Sequence, residues 1–546
     1  MFEKKPEKHF PDRPLECGDC KKPIAIRYTE IVGDLITHTS MCADCPELQR
    51  RLYGTSPQEH VYNQVDPTAA LECGNCGTTL EEIKRGHRLG CPECYTVFED
   101  VILLEMQAAN RLSPRVSLGK KNLPIHIGRA PGESLAINPS SRLLALNEAL
   151  KETLGREDYE QAALLRDQIK ALTDSQYLKE RLEDKSQVQT SGSSHDPLLC
   201  NESPWNHNNN LIWLGSTVAL HRNIEKFKFP GKLAPDKRQQ IISLINQELL
   251  ASPQLKNPKL IRAEDMPPIE KEFLVEHFLT SQSFHQTHTG EAFVLDETGE
   301  FLAVLNLNDH VFMEWIDQRE DLEGAWNHLV KIESNLSQAV NLAFSPQFGF
   351  LTADPTECGT GLTVSVFLHL PGLLHSNRLE EVIKKTKDEG IRQTGLQGNP
   401  NEIIGDILVL HNNYTLGLTE ENILSSLRTL ATKLIAEEKS VRSFLENGHG
   451  YEISIVKDKV SRAYGILMHS YQIEAVEALQ ALSLLKLGLD LHWLEGTQQK
   501  TLNALLFSCR RAYLLCHYAQ KIQQDELSHK RAEFIHQQLR GLTLLI

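Results

Sequence analysis

The sequence predicts a multidomain α+β protein. Its 546 residues exceed what one ordinary hydrophobic core organises, so we expect three or four units. Eight of its twelve cysteines lie before residue 95, all in CxxC pairs. The remainder alternates between segments with helical apolar spacing and short segments with strand-like alternation, which is typical of mixed helices and sheets.

Charge and apolar content exclude some functions. The net charge of -15 disfavours nonspecific nucleic-acid binding, which needs clustered Lys and Arg. We find no apolar run long enough to cross a bilayer, and the N-terminal MFEKKPEKHF has no apolar core of a signal peptide. The sequence therefore predicts a cytoplasmic protein that binds neither membranes nor nucleic acid nonspecifically.

The paired cysteines form two quartets. Each has the spacing of a closed structural zinc site, so we expect two structural zinc ions, one in a module at 1–60 and one in a module at 61–110. Free or redox-active thiols are the alternative. The predicted ligands are Cys17, Cys20, Cys42 and Cys45 for the first ion, and Cys73, Cys76, Cys91 and Cys94 for the second.

A helical hairpin is predicted at 139–184, between a connector at 111–138 and a polar linker at 185–210. Its apolar residues recur at helical spacing on both sides of a turn at Gly155. Two short helices bury little by themselves, so the hairpin is either a docking module for a partner or a simple helical pair.

The stretch LTADPTECGTGLTVSVFLHLP joins a tight loop to a strand-like run, and its glycines would let the backbone approach a ligand. It resembles the CPTNxGTGLR signature of the ATP:guanido phosphotransferases, most closely bacterial protein arginine kinases of the McsB type. The resemblance implies that Gly359, Thr360 and Gly361 contact Mg-ATP. Asp354 replaces the family's reactive cysteine, and Thr363 replaces a phosphate-binding arginine.

A second motif, GSTVALHRN, resembles the family's SSRIRLARN. Arg222 matches its last arginine, which makes Arg222 a candidate cofactor-binding residue. Thr217 and Ala219 replace the two earlier arginines.

A third motif, NLNDHVF, resembles NEEDHxR, whose two glutamates bind and deprotonate the substrate guanidinium in that family. Leu307 and Asn308 replace the glutamates, and Phe312 replaces the arginine. Asp309 and His310 are kept as possible catalytic remnants. Asn308 cannot accept the proton, and general-base catalysis contributes about 10²- to 10⁴-fold to such a reaction. An arginine that stabilises the transferring phosphoryl group can contribute on the order of 10³ to 10⁵ in rate.

The resemblance also implies architecture and partners. It predicts a small helical subdomain at 211–290 and, at 291–546, a large antiparallel sheet flanked by helices. It also implies that the chain can form a homo-oligomer. The second cysteine quartet resembles the adaptor McsA, and the hairpin resembles UVR motifs. Implied partners are a Clp ATPase, a stress repressor or an intact McsB.

Two C-terminal features are less informative. Arg531 lies in a segment that resembles a phosphoarginine-binding motif, but we expect a solvated helix charge there. The loop around Arg392 aligns with another family loop, within a residue or two.

Three functional hypotheses follow. The first is a regulator or adaptor of protein-arginine phosphorylation and Clp proteolysis that has lost phosphotransfer, a pseudokinase. The second is an active protein arginine kinase that uses altered residues such as Asp309 or Asp354, and only this hypothesis requires Mg-ATP. The third is an interaction protein of DNA repair, based on the hairpin alone.

Overall fold

The computed structural model places the chain in two compact units, residues 1–72 and 73–546. It describes residues 26–32, 35–42, 71–114, 116, 125–133, 136–137, 140–156, 159–179, 210–280, 284, 289–386, 388–518 and 524–546.

The first unit contains an antiparallel hairpin of strands β1 (Ile26–Val32) and β2 (Leu35–Met41). Cys42 follows β2 directly and is buried. The other predicted ligands of the first zinc ion, Cys17, Cys20 and Cys45, lie outside the described residues.

The second unit begins with the second cysteine quartet and three short helices, α1 (Leu80–Lys84), α2 (Cys94–Val97) and α3 (Glu99–Ala108). Thr79 caps α1, because its side chain accepts a hydrogen bond from the Glu82 amide while the Glu82 side chain accepts one from the Thr79 amide.

The predicted helical hairpin is formed by α4 (Ser140–Gly155) and α5 (Tyr159–Lys179). Its apolar side packs on a long helix of the same chain, α11 (Glu420–Asn447), through a small cluster of Leu146, Ala149, Leu165 and Ala436. The described part of the linker begins only at residue 210.

The centre of the second unit is one eight-stranded sheet in which every described pair is antiparallel. The strands are β3 (Trp213–Arg222), β4 (Lys259–Arg262), β5 (Ala292–Leu295), β6 (Phe301–Leu305), β7 (Val311–Asp317), β10 (Leu362–His369), β11 (Ile391–Gly395) and β12 (Ile407–Asn412). Their order in the sheet is β11-β12-β10-β3-β7-β6-β5-β4. Two-residue pairs add β8 (Phe344–Ser345) with β9 (Gly349–Phe350), and β13 (Leu494–Glu495) with β14 (Thr543–Leu544).

The segment 211–290 is not the separate helical subdomain that we expected. Its strand β3 lies between β10 and β7, and its strand β4 forms one edge of the same sheet. All ten residues of β3 are buried, so this strand lies at the centre of the domain. Backbone pairing therefore joins the segments on both sides of the predicted boundary near residue 290 into one sheet.

Helices cover one face of the sheet. The amphipathic helix α8 (Leu322–Ala339) packs on β3 and β7, and α11 packs on β10 and β12. The remaining helices are α6 (Pro235–Leu250), α7 (Pro268–Phe278), α9 (Pro371–His375), α10 (Leu379–Lys385), α12 (Tyr451–His469), α13 (Ala475–Asp490), α14 (Gln499–Ser508), α15 (Arg511–His517) and α16 (Leu527–Gln538). Among the described helices, none is both long and apolar enough to cross a membrane.

The expectation for Arg531 is wrong. The residue is only 2% exposed, and its guanidinium donates to the carbonyl oxygens of Cys509 and Ile473, each at 2.8 Å. Arg531 thus joins α16 to two other C-terminal segments rather than pointing into solvent.

Candidate active site

A cavity of about 440 Å³ lies against the face of the sheet that α8 does not cover. The predicted lost arginine positions Thr217, Ala219, Phe312 and Thr363 all line it. They converge because alternate residues of a strand share one face and because Ala219 is directly opposite Thr363 in the antiparallel register. These four side chains carry no charge.

The charges around the cavity are mixed. Glu314 and Glu357 line it, together with Arg392, Arg510 and His411. Glu314 is 3% exposed, and burial raises its pKa to about 8. Burial, together with nearby Arg392, lowers the pKa of His411 to about 4.

Arg392 and Arg510 are the arginines that line this cavity among the described residues. Arg392 lies on β11, opposite His411 of β12. Arg510 donates through Nη1 to the carbonyl oxygen of Glu276 at 2.9 Å, which ties its guanidinium to α7.

Arg222, the predicted candidate for cofactor binding, lies on the opposite sheet face from Thr217 and Ala219. Its side chain is fully buried, and Nε donates to Glu333 of α8 at 2.8 Å. Its guanidinium stacks 3.5 Å from the ring centroid of Phe350. Arg129, from the connector, pairs with the same Glu333 at 2.7 Å. Arg222 therefore neutralises a buried carboxylate inside the domain.

The glycine loop approaches protein rather than an open site. Gly359 has φ +98°, and a Cβ there would lie 2.4 Å from the Thr415 carbonyl oxygen. Gly361 has φ +55°, and a Cβ there would lie 2.6 Å from Arg222 Nη1. Thr360 is fully buried and donates through Oγ1 to Thr415. The glycines at 359 and 361 are thus required for internal packing, whatever else the loop contacts.

The NLNDH segment is held by many contacts. Asp309 is 1% exposed; Oδ1 accepts from Asn223 Nδ2 at 2.6 Å and from the Ala353 amide at 2.8 Å. His310 is fully buried; Nδ1 accepts from the Ile224 amide and Nε2 donates to the Lys228 carbonyl, each at 2.9 Å. Burial lowers the pKa of His310 to about 4, so it is a neutral structural residue.

The two positions of the missing glutamates are half-buried. Leu307 packs against the main core, and Asn308 accepts a hydrogen bond from Arg88 of the zinc module. Asp354 caps the short turn Pro355–Glu357, where its Oδ1 accepts from the Thr356 amide at 2.9 Å.

His221, which the sequence analysis did not single out, lies between two carboxylates. Its Nδ1 is 3.1 Å from Asp309 Oδ2 and 3.4 Å from Glu357 Oε2. Burial alone would lower the pKa of His221, but Glu357 and Asp309 raise it to about 9. Glu357 is also absent from the predicted site residues. The feature of the sequence that could have indicated it is a second carboxylate, after Asp354, in the glycine-rich loop.

The second cysteine quartet forms a compact cluster. Sγ atoms of Cys73 and Cys91 are 3.6 Å apart, those of Cys76 and Cys94 are 3.3 Å apart, and those of Cys91 and Cys94 are 3.9 Å apart. Tetrahedral zinc with Zn–S bonds of about 2.3 Å requires edges of about 3.8 Å, so the four thiols fit one zinc ion.

The zinc module is docked beside the candidate site. The Leu89 amide donates to the Ala353 carbonyl at 2.8 Å, and the Tyr95 hydroxyl donates to the Thr352 carbonyl at 3.0 Å. The Phe229 amide donates to the Gly90 carbonyl at 2.9 Å. The core of the module is continuous with residues of the loop that carries Asp354 and Glu357.

Three family models match this chain. Residues 240–441 match the ATP:guanido phosphotransferase C-terminal catalytic domain, and residues 454–544 match the protein-arginine kinase McsB C-terminal domain. Residues 71–111 match the McsA central zinc-finger domain.

A protein-arginine kinase of Chlamydia pneumoniae is 35% identical over 341 residues, which cover 61% of this chain and 93% of that protein. The chain belongs to the protein-arginine kinase family. Another family member, the protein-arginine kinase of Halothermothrix orenii, is 30% identical over 324 residues, which cover 59% of this chain and 92% of that protein. A lombricine kinase structure aligns with a TM-score of 0.46 at 15% identity, covering 68% of this chain and 88% of that one.

This family member therefore joins an McsA-type zinc-finger domain to an McsB-type kinase domain in one chain. The predicted multidomain α+β class, with a zinc cysteine cluster before a large antiparallel sheet, is confirmed.

Proposed function

We propose that this chain is a pseudokinase that regulates protein-arginine phosphorylation and Clp-dependent stress proteolysis. The observation that carries the proposal is the cavity in which Thr217, Ala219, Phe312 and Thr363 lie together. Four positions that would carry phosphate-binding arginines in relatives with the intact motifs present no positive charge to a triphosphate.

The remaining charges do not replace those arginines. Glu357 would repel phosphate oxygens, and Glu314, whose pKa burial raises to about 8, supplies no positive charge in either protonation state. Arg392 and Arg510 also line the cavity, but Arg510 is tied to α7. Phosphoryl transfer depends almost wholly on positioning and on cations around the transferred group.

The base is also missing. A guanidinium becomes nucleophilic when a carboxylate orients it and accepts its proton. Leu307 and Asn308 cannot do so, and Asn308 is instead bonded to Arg88 of the zinc module. Asp309 is engaged by Asn223, Ala353 and His221, which hold its pKa below its ordinary value although burial opposes this shift.

The regulatory half of the proposal rests on the adaptor modules. A zinc-finger domain and a helical hairpin precede a domain of the kinase family. Modules of the adaptor type and a domain of the kinase type are thus parts of one chain. We propose that each cysteine quartet binds one structural zinc ion and that the partners are a Clp ATPase, a stress repressor or an intact McsB-type kinase.

The test is transfer from γ-labelled ATP to an arginine-rich protein by the purified full-length chain, with an active protein-arginine kinase in parallel. We expect no transfer above the blank. Robust transfer that Asp309→Asn abolishes would instead establish an active kinase with altered residues. Calorimetric binding of Mg-ATP at micromolar concentration would point the same way.

The regulatory role needs its own test. The chain is titrated into an active protein-arginine kinase, and both the phosphorylation rate and complex formation on gel filtration are measured. We expect a complex and a changed rate. No complex and an unchanged rate with that kinase, together with no binding to a Clp ATPase or a stress repressor, would reject this role.

A further inference from the structure

Three possible metal-ligand atoms meet at the wall of the cavity. They are His221 Nδ1 from β3, Asp309 Oδ2 from the segment before β7, and Glu357 Oε2 from the turn after Asp354. The atoms all lie within 4.8 Å of one another. Segments far apart in the sequence thus bring one nitrogen and two carboxylate oxygens to a single point.

Their spacing fits one divalent ion. Metal bonds of about 2.0–2.2 Å in a tetrahedral arrangement require ligand atoms about 3.4 Å apart. The observed separations from His221 Nδ1 are 3.1 Å to Asp309 and 3.4 Å to Glu357. Two of the three separations therefore already match such an ion, and the third pair of atoms lies within 4.8 Å.

The ligand atoms are held in place by neighbours. The second oxygen of Asp309 accepts from Asn223 and from the Ala353 amide, which fixes the carboxylate plane. The ring of His221 packs against Phe312 with centroids 4.9 Å apart. Such supporting bonds are typical of metal sites, since they set the direction of the ligand lone pairs.

The site opens to the cavity. The side chain of Glu357 is 31% exposed, while His221 and Asp309 are almost fully buried. An ion bound by three protein atoms would keep at least one coordination position for water or a ligand on the cavity side.

An independent observation is the buried carboxylate of Glu314 in the same cavity. Glu314 is 3% exposed, and its Oε2 has no hydrogen-bond partner among the described residues. A buried carboxylate oxygen without a partner costs free energy, and a nearby cation would reduce that cost. Glu314 also interacts electrostatically with His221.

We propose that His221, Asp309 and Glu357 bind a divalent transition-metal ion of the Mn²⁺, Co²⁺ and Zn²⁺ class. The ion would bridge β3, the NLNDH segment and the Asp354–Glu357 turn. Mixed imidazole and carboxylate ligands suit these ions. The site goes beyond the proposed pseudokinase role and requires no nucleotide.

The test uses full-length protein with zinc already bound at the cysteines, in buffer without nucleotide. Mn²⁺ is titrated, and free Mn²⁺ is followed by its electron paramagnetic resonance signal. We expect one equivalent of Mn²⁺ to bind, and Glu357→Gln to weaken this binding by at least about tenfold. Asp354→Asn removes an equal charge from the same loop but no ligand, so its effect should be about threefold or less.

Cobalt provides a second readout. Co²⁺ at this site should give weak d–d bands without the intense thiolate charge-transfer band that cysteine ligands produce, and Glu357→Gln should remove the weak bands. Failure of Mn²⁺ to bind at millimolar concentration, or equal binding by the wild type and folded Glu357→Gln, would overturn the proposal. In that case the short distances among His221, Asp309 and Glu357 would reflect hydrogen bonding of a protonated imidazole and not a metal site. Because ATP is absent, neither result depends on phosphotransfer.

Discussion

Glu314 is a buried charged residue in the wall of the cavity. Glu314 interrupts the apolar strand β7, VFMEWID, and points into the cavity opposite Ala219 in the register. A charged residue inside such a strand is a signal that sequence reasoning can use, because buried carboxylates are rare unless they have a function or a partner.

Glu314→Gln should stabilise the protein at neutral and alkaline pH. Burial raises the folded-state pKa of Glu314 from an ordinary 4.5 to about 8, so its ionisation favours the unfolded chain. The cost begins as pH rises past 4.5 and is complete above about 8. We expect a gain of about 2–4 kcal/mol in the free energy of unfolding at pH 8.5 and little at pH 4.

Urea denaturation without added divalent metal measures this difference. Glu380→Gln is the matched control, since the side chain of Glu380 is 88% exposed and its loss should change stability little. A gain for Glu314→Gln that is the same at both pH values would contradict the pKa argument.

Returning arginines to the cavity should restore nucleotide binding. Thr217, Ala219 and Thr363 are neighbours on adjacent strands, so Thr217→Arg, Ala219→Arg and Thr363→Arg together would place three guanidinium groups on one wall. We expect Mg-ATP to bind at least about tenfold more tightly than to the wild type, by calorimetry.

Ser365→Arg is the control for that experiment. Ser365 lines the same cavity on the same strand as Thr363, but it lies outside the family's arginine motif. If Ser365→Arg alone matched the triple variant, general positive charge rather than the motif positions would explain binding. If the triple variant binds Mg-ATP no more tightly than the wild type, the missing arginines are not what prevents nucleotide binding.

At the scale of elements, the zinc module supports the loop that carries Asp354 and Glu357. Leu89 and Tyr95 bond to the backbone of Ala353 and Thr352, directly before that loop. The buried apolar residues of the module form one cluster with residues of that loop, so zinc and this contact both contribute to its fold. Loss of the zinc ion should therefore also increase the local mobility of this loop in the kinase domain.

Cys91→Ser, or zinc chelation, should increase amide hydrogen exchange in residues 343–361. The reason is that the docked face of the module loses its fixed geometry. Tyr95→Phe keeps the cysteines and removes only the hydroxyl bond to Thr352, so we expect a smaller increase. Exchange in the β5–β6 hairpin should stay unchanged; an equal increase there would indicate general unfolding instead of a local effect.

At the scale of the whole molecule, the helical hairpin is attached by a small apolar contact and several ion pairs. Leu165 is 4% exposed in the contact with α11, whereas its neighbour Leu164 is 50% exposed. Lys433 of α11 pairs with Glu148 and Glu152 of α4 at 3.3 and 3.2 Å. Such exposed pairs contribute little each, so the apolar cluster should dominate.

Leu165→Asp should release the hairpin without unfolding the sheet. Burying an unpaired carboxylate costs more than the small cluster contributes, so hydrogen exchange should rise in residues 140–179 and remain unchanged in β3 and β10. Leu164→Asp should have little effect because the side chain is already exposed. Protection of 140–179 in the Leu165→Asp variant would mean that other contacts hold the hairpin.

The sequence by itself determined the family, the second cysteine quartet and the positions where reactive residues are replaced, because these depend on residue type and spacing. The tertiary structure alone decided which side chains meet. It buried Arg222 against Glu333, joined β3 to the main sheet and brought His221 between Asp309 and Glu357. These outcomes depend on long-range strand pairing and on which sheet face each residue occupies, and local sequence patterns do not specify either.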